Sequence, residues 1–163
     1  MESNIHTEAG EKVSEKTSQA LFRLIYRSRS KIPKEKMDAD LGEILRVARV
    51  NNALRGITGA LVLYDNWFAQ VLEGDEAEIQ KLFAVIKSDS RHSGIEVSQQ
   101  ARVSGRAFAR WAMANVGEHG SPDVPLVATT TGTTEGAPWR LSEEQEHLVL
   151  MLRNLTRGYG AGS

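Results

Sequence analysis

Short apolar runs and helix-like stripes alternate along the middle of this chain. A run of four to eight β-branched, aliphatic and aromatic residues bounded by turn residues is typical of a strand. Five such runs predict strands over 21–27, 56–64, 67–73, 95–103 and 108–116. Asp65-Asn66 separates the second run from the third, and this pair favours the tight turn of a β-hairpin.

Three segments carry apolar residues at the i, i+3, i+4, i+7 spacing of an amphipathic helix. Each follows a polar residue that can cap a helix, with Glu or Gln three positions later. The stripes are Leu41, Ile44, Leu45 and Ala48 after Asp40; Ile79, Leu82, Phe83 and Ile86 after Asp75; and Leu148, Met151, Leu152 and Leu155 after Ser142. We expect the first helix to end near Asn51-Asn52, because Asn is a common helix terminator.

The resulting order, β-α-β-β-α-β-β, predicts an α+β fold. Its first six elements match the ferredoxin-like split β-α-β arrangement, with two helices on one face of an antiparallel-rich sheet. Residues 1–19 lack a substantial apolar pattern and predict a flexible tail, 20–117 form the domain, 118–140 form a linker, and 141–157 hold a C-terminal helix. That helix can cover the open face of the sheet or form a protein interface, and we favour the former because an apolar sheet face needs cover.

Composition narrows the classes of function. The 163 residues contain 20 Lys and Arg against 21 Asp and Glu, so the net charge of −1 disfavours nucleic-acid and anionic-membrane binding. There is no Cys, which excludes disulfides, thiolate metal ligands and a Cys nucleophile. No apolar run exceeds five residues, so we expect neither a membrane span nor a secretory signal, with the cytoplasm as the default location.

Two polar side chains fall on strand faces that are otherwise apolar. Tyr26 shares its face with Phe22 and Leu24, and Gln70 shares its face with Phe68 and Leu72. A buried amide without a partner costs about 1–3 kcal/mol. The two groups therefore bond to each other, to a polar ligand between the helices, or to backbone, and the pattern alone leaves these alternatives open.

At these positions the chain resembles the BLUF family of blue-light sensors that use flavin. The resemblance covers 20–117, and its segments occur in the family's order. They are LIYRS at 24–28, Asn51-Asn52, GITG at 56–59, FAQVLEG at 68–74, DSRH at 89–92 and WAM at 111–113.

The resemblance implies noncovalent FAD, or alternatively FMN, inserted between the two helices, with no metal. It implies that Tyr26 is the photochemical donor and Gln70 the switching amide. The implied flavin contacts are Asn52, Asn51, Ile44, Ile86, Arg91 and His92, the last two near the ribityl-phosphate end. Val85 departs from relatives that carry a basic residue there, and Asn51 is shared with part of the family.

Signal relay is expected through Trp111 and Met113, which the pattern puts on one face of the last strand. The sequence leaves open which of them faces the flavin. We expect a photosensor rather than an enzyme, acting through a downstream protein partner or through its own oligomers. Two alternatives without flavin remain: an acylphosphatase-like hydrolase, for which Arg27 to Ser30 is a weak anion loop, and a ferredoxin-like binding module.

Overall fold

The elements of the fold follow the predicted order. The computed structural model describes residues 21–117, 122–124 and 141–157, so the predicted tail and most of the predicted linker lie outside the described residues. The strands are β1 (Leu21–Ser30), β2 (Thr58–Tyr64), β3 (Trp67–Asp75), β4 (His92–Arg102) and β5 (Ala114–Val116). The helices are α1 (Met37–Arg55), α2 (Glu76–Lys87) and α3 (Glu143–Thr156), with a 3₁₀ turn at Lys34–Lys36.

The five strands form one sheet in the order β4-β1-β3-β2-β5. The pairs β4–β1, β1–β3 and β3–β2 are antiparallel, and β5 runs parallel to β2 at the edge. This is the split β-α-β topology with one added strand, so the predicted α+β, ferredoxin-like fold is confirmed. The β2–β3 hairpin turns at Asp65 and Asn66, which both have positive φ as a type I′ turn requires.

Apolar cores lie on both faces of the sheet. On one face, α1 and α2 pack over even-numbered residues of β1 and β3, including Leu24 and Leu72. On the other, Leu148 and Leu152 of α3 join Ile25 in a second buried cluster. The C-terminal helix thus covers the open face of its own sheet, as we predicted.

The helix caps agree with the sequence in two cases out of three. Asp75 accepts from the backbone N–H of Glu78 at the start of α2, and Ser142 forms a full capping box with Gln145 at the start of α3. The prediction that Asp40 caps α1 is wrong. The helix begins at Met37, four residues before the start that a cap at Asp40 would give, and Asp40 lies in its first turn, where the helix dipole favours a carboxylate.

The end of α1 was also predicted wrongly. The helix continues past Asn51 and Asn52 to Arg55, and Gly56 ends it with φ 68°, in the left-handed region that glycine adopts without strain. Asn52 is therefore a buried residue inside the helix rather than its terminator.

The last predicted strand is much shorter than expected, since β5 holds three residues rather than nine. Residues 103–113 run outside the strand ladder. The backbone N–H groups of Ala107 and Phe108 instead donate to the carboxylate of Glu73, at 2.7 and 2.9 Å. The apolar pattern of this segment reflects burial without strand pairing.

Gly59 marks a close approach between β2 and β3. A Cβ at this position would collide with the carbonyl oxygen of Val71 and lie 3.3 Å from Cε of Met113. We expect Gly59→Ala to lower the free energy of unfolding by about 1–3 kcal/mol, since the neighbouring strand would have to shift. Gly42→Ala is the control: a Cβ there meets nothing within 4 Å, and alanine in a helix should raise stability by about 0.5–1 kcal/mol. Urea denaturation of both variants checks the pair, and equal effects would contradict the packing described.

Candidate functional site

A cleft of about 180 Å³ opens between α1 and α2 above the central strands. Its floor is formed by β1 and β3, and its walls by the facing sides of the two helices. The predicted site residues that line it are Tyr26, Ile44, Asn51, Asn52, Gln70, Ile86, Arg91 and His92. The structure therefore brings together eight of the ten predicted site residues, leaving Trp111 and Met113 outside this lining.

Tyr26 and Gln70 meet at the floor of the cleft. They are direct cross-strand partners in the β1–β3 register, so their side chains point to the same face. The hydroxyl of Tyr26 donates to Oε1 of Gln70 at 2.5 Å, and the two residues are 3% and 6% exposed. Each buried polar group thus satisfies the other, which was one of the alternatives open from the sequence.

The environment of Tyr26 keeps its phenol protonated. Burial, with a smaller contribution from the negative charge of Asp89, raises the pKa of Tyr26 far above its ordinary value of about 10. The ring lies 5.5 Å from that of Phe83, measured between centroids. A neutral phenol has a proton to donate, and Gln70 is the acceptor in place.

The other end of the Gln70 amide contacts Met113. Nε2 of Gln70 donates to the sulfur of Met113 at 3.4 Å, and Met113 is fully buried in the core beneath the helices. A thioether is a weak acceptor, so this donor is held less firmly than the oxygen at the opposite end. The amide has a strong partner on one side and a weak one on the other.

Trp111 lies away from this contact. It is half-buried against the core beneath α3, with its ring centroid 6.3 Å from that of Phe108. The expectation that Trp111 and Met113 share a strand face is wrong, because both precede β5 and the segment that carries them turns between the two cores. In this structure Met113 is the member of the pair beside Gln70.

Asn52 presents an unsatisfied polar atom inside the protein. Its Nδ2 donates to the carbonyl of Ala112 at 3.0 Å, which orients the amide. Its Oδ1 is buried and has no hydrogen-bond partner, although the residue is 1% exposed. An orphaned buried acceptor is costly, and it fits a ligand that brings an N–H donor to the cleft. Asn51 beside it is exposed at the rim.

Arg91 and His92 stand at the α2 end of the cleft and are already engaged. Arg91 pairs with Asp89 at 2.6 Å, and this hydrogen-bonded pairing lowers the pKa of the Asp89 carboxyl. Nε2 of His92 donates to the carbonyl of Ile86 at 2.6 Å, and Nδ1 is hydrogen-bonded to the hydroxyl of Ser28 at 2.7 Å. Both ring nitrogens of His92 thus have protein partners, and its ring packs edge-on against Phe68.

Sequence reasoning missed several residues of the cleft wall. Val47 follows Ile44 by three positions, so helical spacing could have found it. Ala48 and Phe68 lie on the predicted helix stripe and strand face, although neither was among the predicted site residues. Asp89 belongs to the DSRH segment at 89–92, but the sequence suggested no role for it. Among the residues that the structure describes, no cluster of His, Asp and Glu could hold a metal ion.

The site fits part of a flavin. The cleft is smaller than the pockets that enclose a whole drug-sized ligand, so it could enclose a ring system while the remainder extends from its mouth. Apolar walls, a central amide and the free oxygen of Asn52 suit a flat heterocycle with a polar edge.

Within the described ranges, no helix is long and apolar enough to cross a membrane.

Comparisons with known proteins agree with the geometry. The photoactivated adenylate cyclase subunit beta of Euglena gracilis is 37% identical over 93 residues, which are 57% of this chain and 11% of that protein. The present chain therefore matches about a tenth of the length of that curated relative. The similarity thus concerns a small part of that relative rather than its whole length.

Solved structures extend the similarity over more of the chain. BlsA in its ground state is 30% identical with a TM-score of 0.60, covering 83% of this chain and 87% of its own. BlrB, a BLUF protein in its dark state, is 27% identical with a TM-score of 0.60, covering 86% and 98%. The structure of Klebsiella pneumoniae BlrP1 with FMN and cyclic diGMP is 27% identical with a TM-score of 0.62, covering 85% and 35%.

The family model for sensors of blue-light using FAD matches residues 21–114 of this sequence. That range includes the cleft, both helices that form it and the Tyr26–Gln70 pair. The chain belongs to the BLUF family of blue-light sensors that use FAD.

Proposed function

We propose that this chain is a blue-light photoreceptor in which Tyr26 and Gln70 form the switch, and that it signals to a protein partner without an enzymatic activity of its own. The observation that carries the proposal is the buried hydrogen bond from Tyr26 to Gln70 at the floor of a cleft that holds an unsatisfied acceptor, Asn52 Oδ1. We also propose that the protein signals as a homo-oligomer.

The proposed flavin contacts are the residues of the cleft wall. Ile44 and Ile86 would pack against the ring faces from α1 and α2, and Asn52 Oδ1 would accept a hydrogen bond from the polar edge. Asn51, Arg91 and His92 would lie along the rim toward the ribityl-phosphate. When bound, FAD supplies the absorption of blue light and an excited state that accepts an electron; FMN would supply the same chemistry.

Tyr26 is positioned to give up an electron and then its phenolic proton. The proton is shared with Gln70 Oε1 across 2.5 Å, so it can move along an existing hydrogen bond. Because the pKa of Tyr26 is raised by burial, the phenol is protonated in the dark at any ordinary pH. The apolar surroundings exclude water that would compete for that proton.

Gln70 converts this transfer into a change of hydrogen bonding. Its carbonyl accepts at one end and its NH₂ donates at the other, so rotation or tautomerisation of the amide exchanges what each neighbour receives. On the Met113 side, the contact that must break is the weak hydrogen bond from the amide N–H to the thioether sulfur. Its loss adds little to the free energy needed to reorient the amide. Met113 lies beside the amide nitrogen of Gln70, so reorientation of the amide would change its contact directly.

Gln70→Leu tests the switch. A BLUF sensor is expected to form a photoproduct whose flavin spectrum is shifted to the red and which relaxes in the dark. In Gln70→Leu we expect flavin to stay bound, since the apolar walls remain, and this red shift to be lost completely because no amide can reorient. Gln80→Leu on the exposed side of α2 is the matched control and should show the normal shift. Absorption spectra recorded before and after blue light measure the shift in both variants. A normal shift in Gln70→Leu would contradict the role of Gln70 as the switching amide.

Tyr26→Phe tests the donor. The ring and its packing against Phe83 are kept while the hydroxyl that bonds Gln70 is removed, so the photocycle should be lost. Tyr64→Phe, half-buried against the core on the other face of the sheet, should retain it. Transient absorption of the two variants checks the prediction, and a wild-type photoproduct in Tyr26→Phe would mean that another donor operates.

Asn52→Ala tests the flavin contact. Removing the free acceptor should weaken FAD binding by roughly three- to tenfold, the factor for one hydrogen bond. Asn154→Ala on the exposed face of α3 should leave the affinity unchanged. Fluorescence quenching on titration of FAD measures both, and equal affinities for Asn52→Ala and wild type would remove Asn52 from the site.

A further inference from the structure

Glu73 is a fully buried carboxylate on the opposite face of the sheet from the cleft. It lies on β3 three positions after Gln70, so the alternation of the strand points the two side chains in opposite directions. Its side chain is 0% exposed and pairs with Arg23 at 3.0 Å, while Arg23 is itself buried. A buried charge is costly unless it is paired and hydrogen-bonded, and Glu73 meets that requirement in an unusual way.

Three further donors complete its shell, and two of them are backbone groups. The N–H groups of Ala107 and Phe108 donate to the two carboxylate oxygens at 2.7 and 2.9 Å, and the hydroxyl of Thr58 donates at 3.2 Å. Bonds to an ionised acceptor are stronger than neutral ones. Glu73 therefore holds a stretch of chain that pairs with no strand.

The segment held by Glu73 is the one that carries Met113. Phe108 accepts from the N–H of Trp111 through its carbonyl at 3.0 Å, which closes a tight turn. The carbonyl of Trp111 then accepts from the N–H of Gly59 at 3.2 Å. The segment thus reaches Met113 fixed at its start by Glu73 and at its end by β2, and Met113 contacts Gln70 from that position.

The same segment is tied to the first turn of α3. Nε2 of Gln145 donates to the carbonyl of Ala107 at 2.7 Å, so Ala107 is bonded by Glu73 at its N–H and by α3 at its carbonyl. The capping box fixes Gln145, because its Oε1 accepts from the N–H of Ser142 at 2.9 Å. Arg23 adds a second link, to Glu144 at 3.4 Å.

We infer that Glu73 is a positioning residue for the switch: it holds Met113 against Gln70 and joins that contact to α3 through Ala107 and Gln145. The inference rests on the proposed function of Gln70. Glu73 touches neither the cleft nor Tyr26, and it acts through the backbone of 107–113. Weakening either attachment of Ala107 should loosen Met113, withdraw a contact that supports the dark arrangement of the amide, and so slow its return in the dark.

Gln145→Glu is the sharpest probe, because glutamate at this position keeps the capping box while it removes the donor to Ala107. We expect flavin binding and the red shift to persist and dark recovery to slow by roughly two- to tenfold, the factor for one hydrogen bond. The control is Gln100→Glu, an exposed residue of β4 that makes the same change of charge. Its recovery rate should equal that of wild type.

Glu73→Gln is the second probe, and Glu96→Gln is its control because it removes an Arg–Glu pair from the same sheet without touching 107–113. In Glu73→Gln, hydrogen exchange in the dark should show faster exchange of the Ala107 and Phe108 amides, together with slower dark recovery. If Glu73→Gln fails to fold, Gln145→Glu decides the question through the same two measurements.

The outcomes separate the two proposals. A wild-type protein that binds FAD without a light-induced shift overturns the proposed function, and this inference with it. A wild type that shifts, with variants whose amides exchange faster but whose recovery is unchanged, overturns the positioning role alone. Unchanged exchange and unchanged recovery in both variants would overturn the attachment itself.

Discussion

The buried hydrogen bond between Tyr26 and Gln70 is the interaction on which this protein depends. Both groups lie on a sheet face that is otherwise apolar, where an unpaired phenol or amide would cost about 1–3 kcal/mol. Pairing across adjacent antiparallel strands removes that cost and fixes the orientation of the amide: oxygen toward the phenol, nitrogen toward Met113. The amide of Gln70 has a strong hydrogen bond to Tyr26 and a weak one to Met113. Because the weak bond is easily broken, the amide is suited to adopt a second orientation.

The central strand β3 serves both faces of the sheet. Gln70 points toward the cleft and Glu73 toward the core beneath α3, so one strand joins the cleft side of the sheet to the side that α3 covers. The segment 107–113 completes the connection, since it is bonded to Glu73 and Gln145 at one end and places Met113 beside Gln70 at the other. Covering the sheet with α3 therefore has a structural consequence for the surroundings of Gln70, the proposed switch, as well as for the core.

The mouth of the cleft differs from its floor in its charges. The floor is neutral, whereas the rim carries Asp89 and Arg91, which are paired with each other. Val85 stands exposed on the same side of α2. A ligand would thus be recognised mainly through its ring, by apolar contact and by the free oxygen of Asn52, with less contribution from charge at the rim.

Sequence alone determined the element order, the hairpin turn, two of three helix caps and the shared face of Tyr26 and Gln70, because periodicity and turn chemistry are local properties. It also indicated the family, through short motifs whose order along the chain resembles that of BLUF proteins. Tertiary structure decided that Asn52 is buried with an unsatisfied oxygen, that 108–113 leaves the strand ladder, and that Met113 rather than Trp111 meets Gln70. Each of these depends on partners distant in sequence, Ala112 for Asn52 and Glu73 for Ala107 and Phe108, which no local pattern can specify.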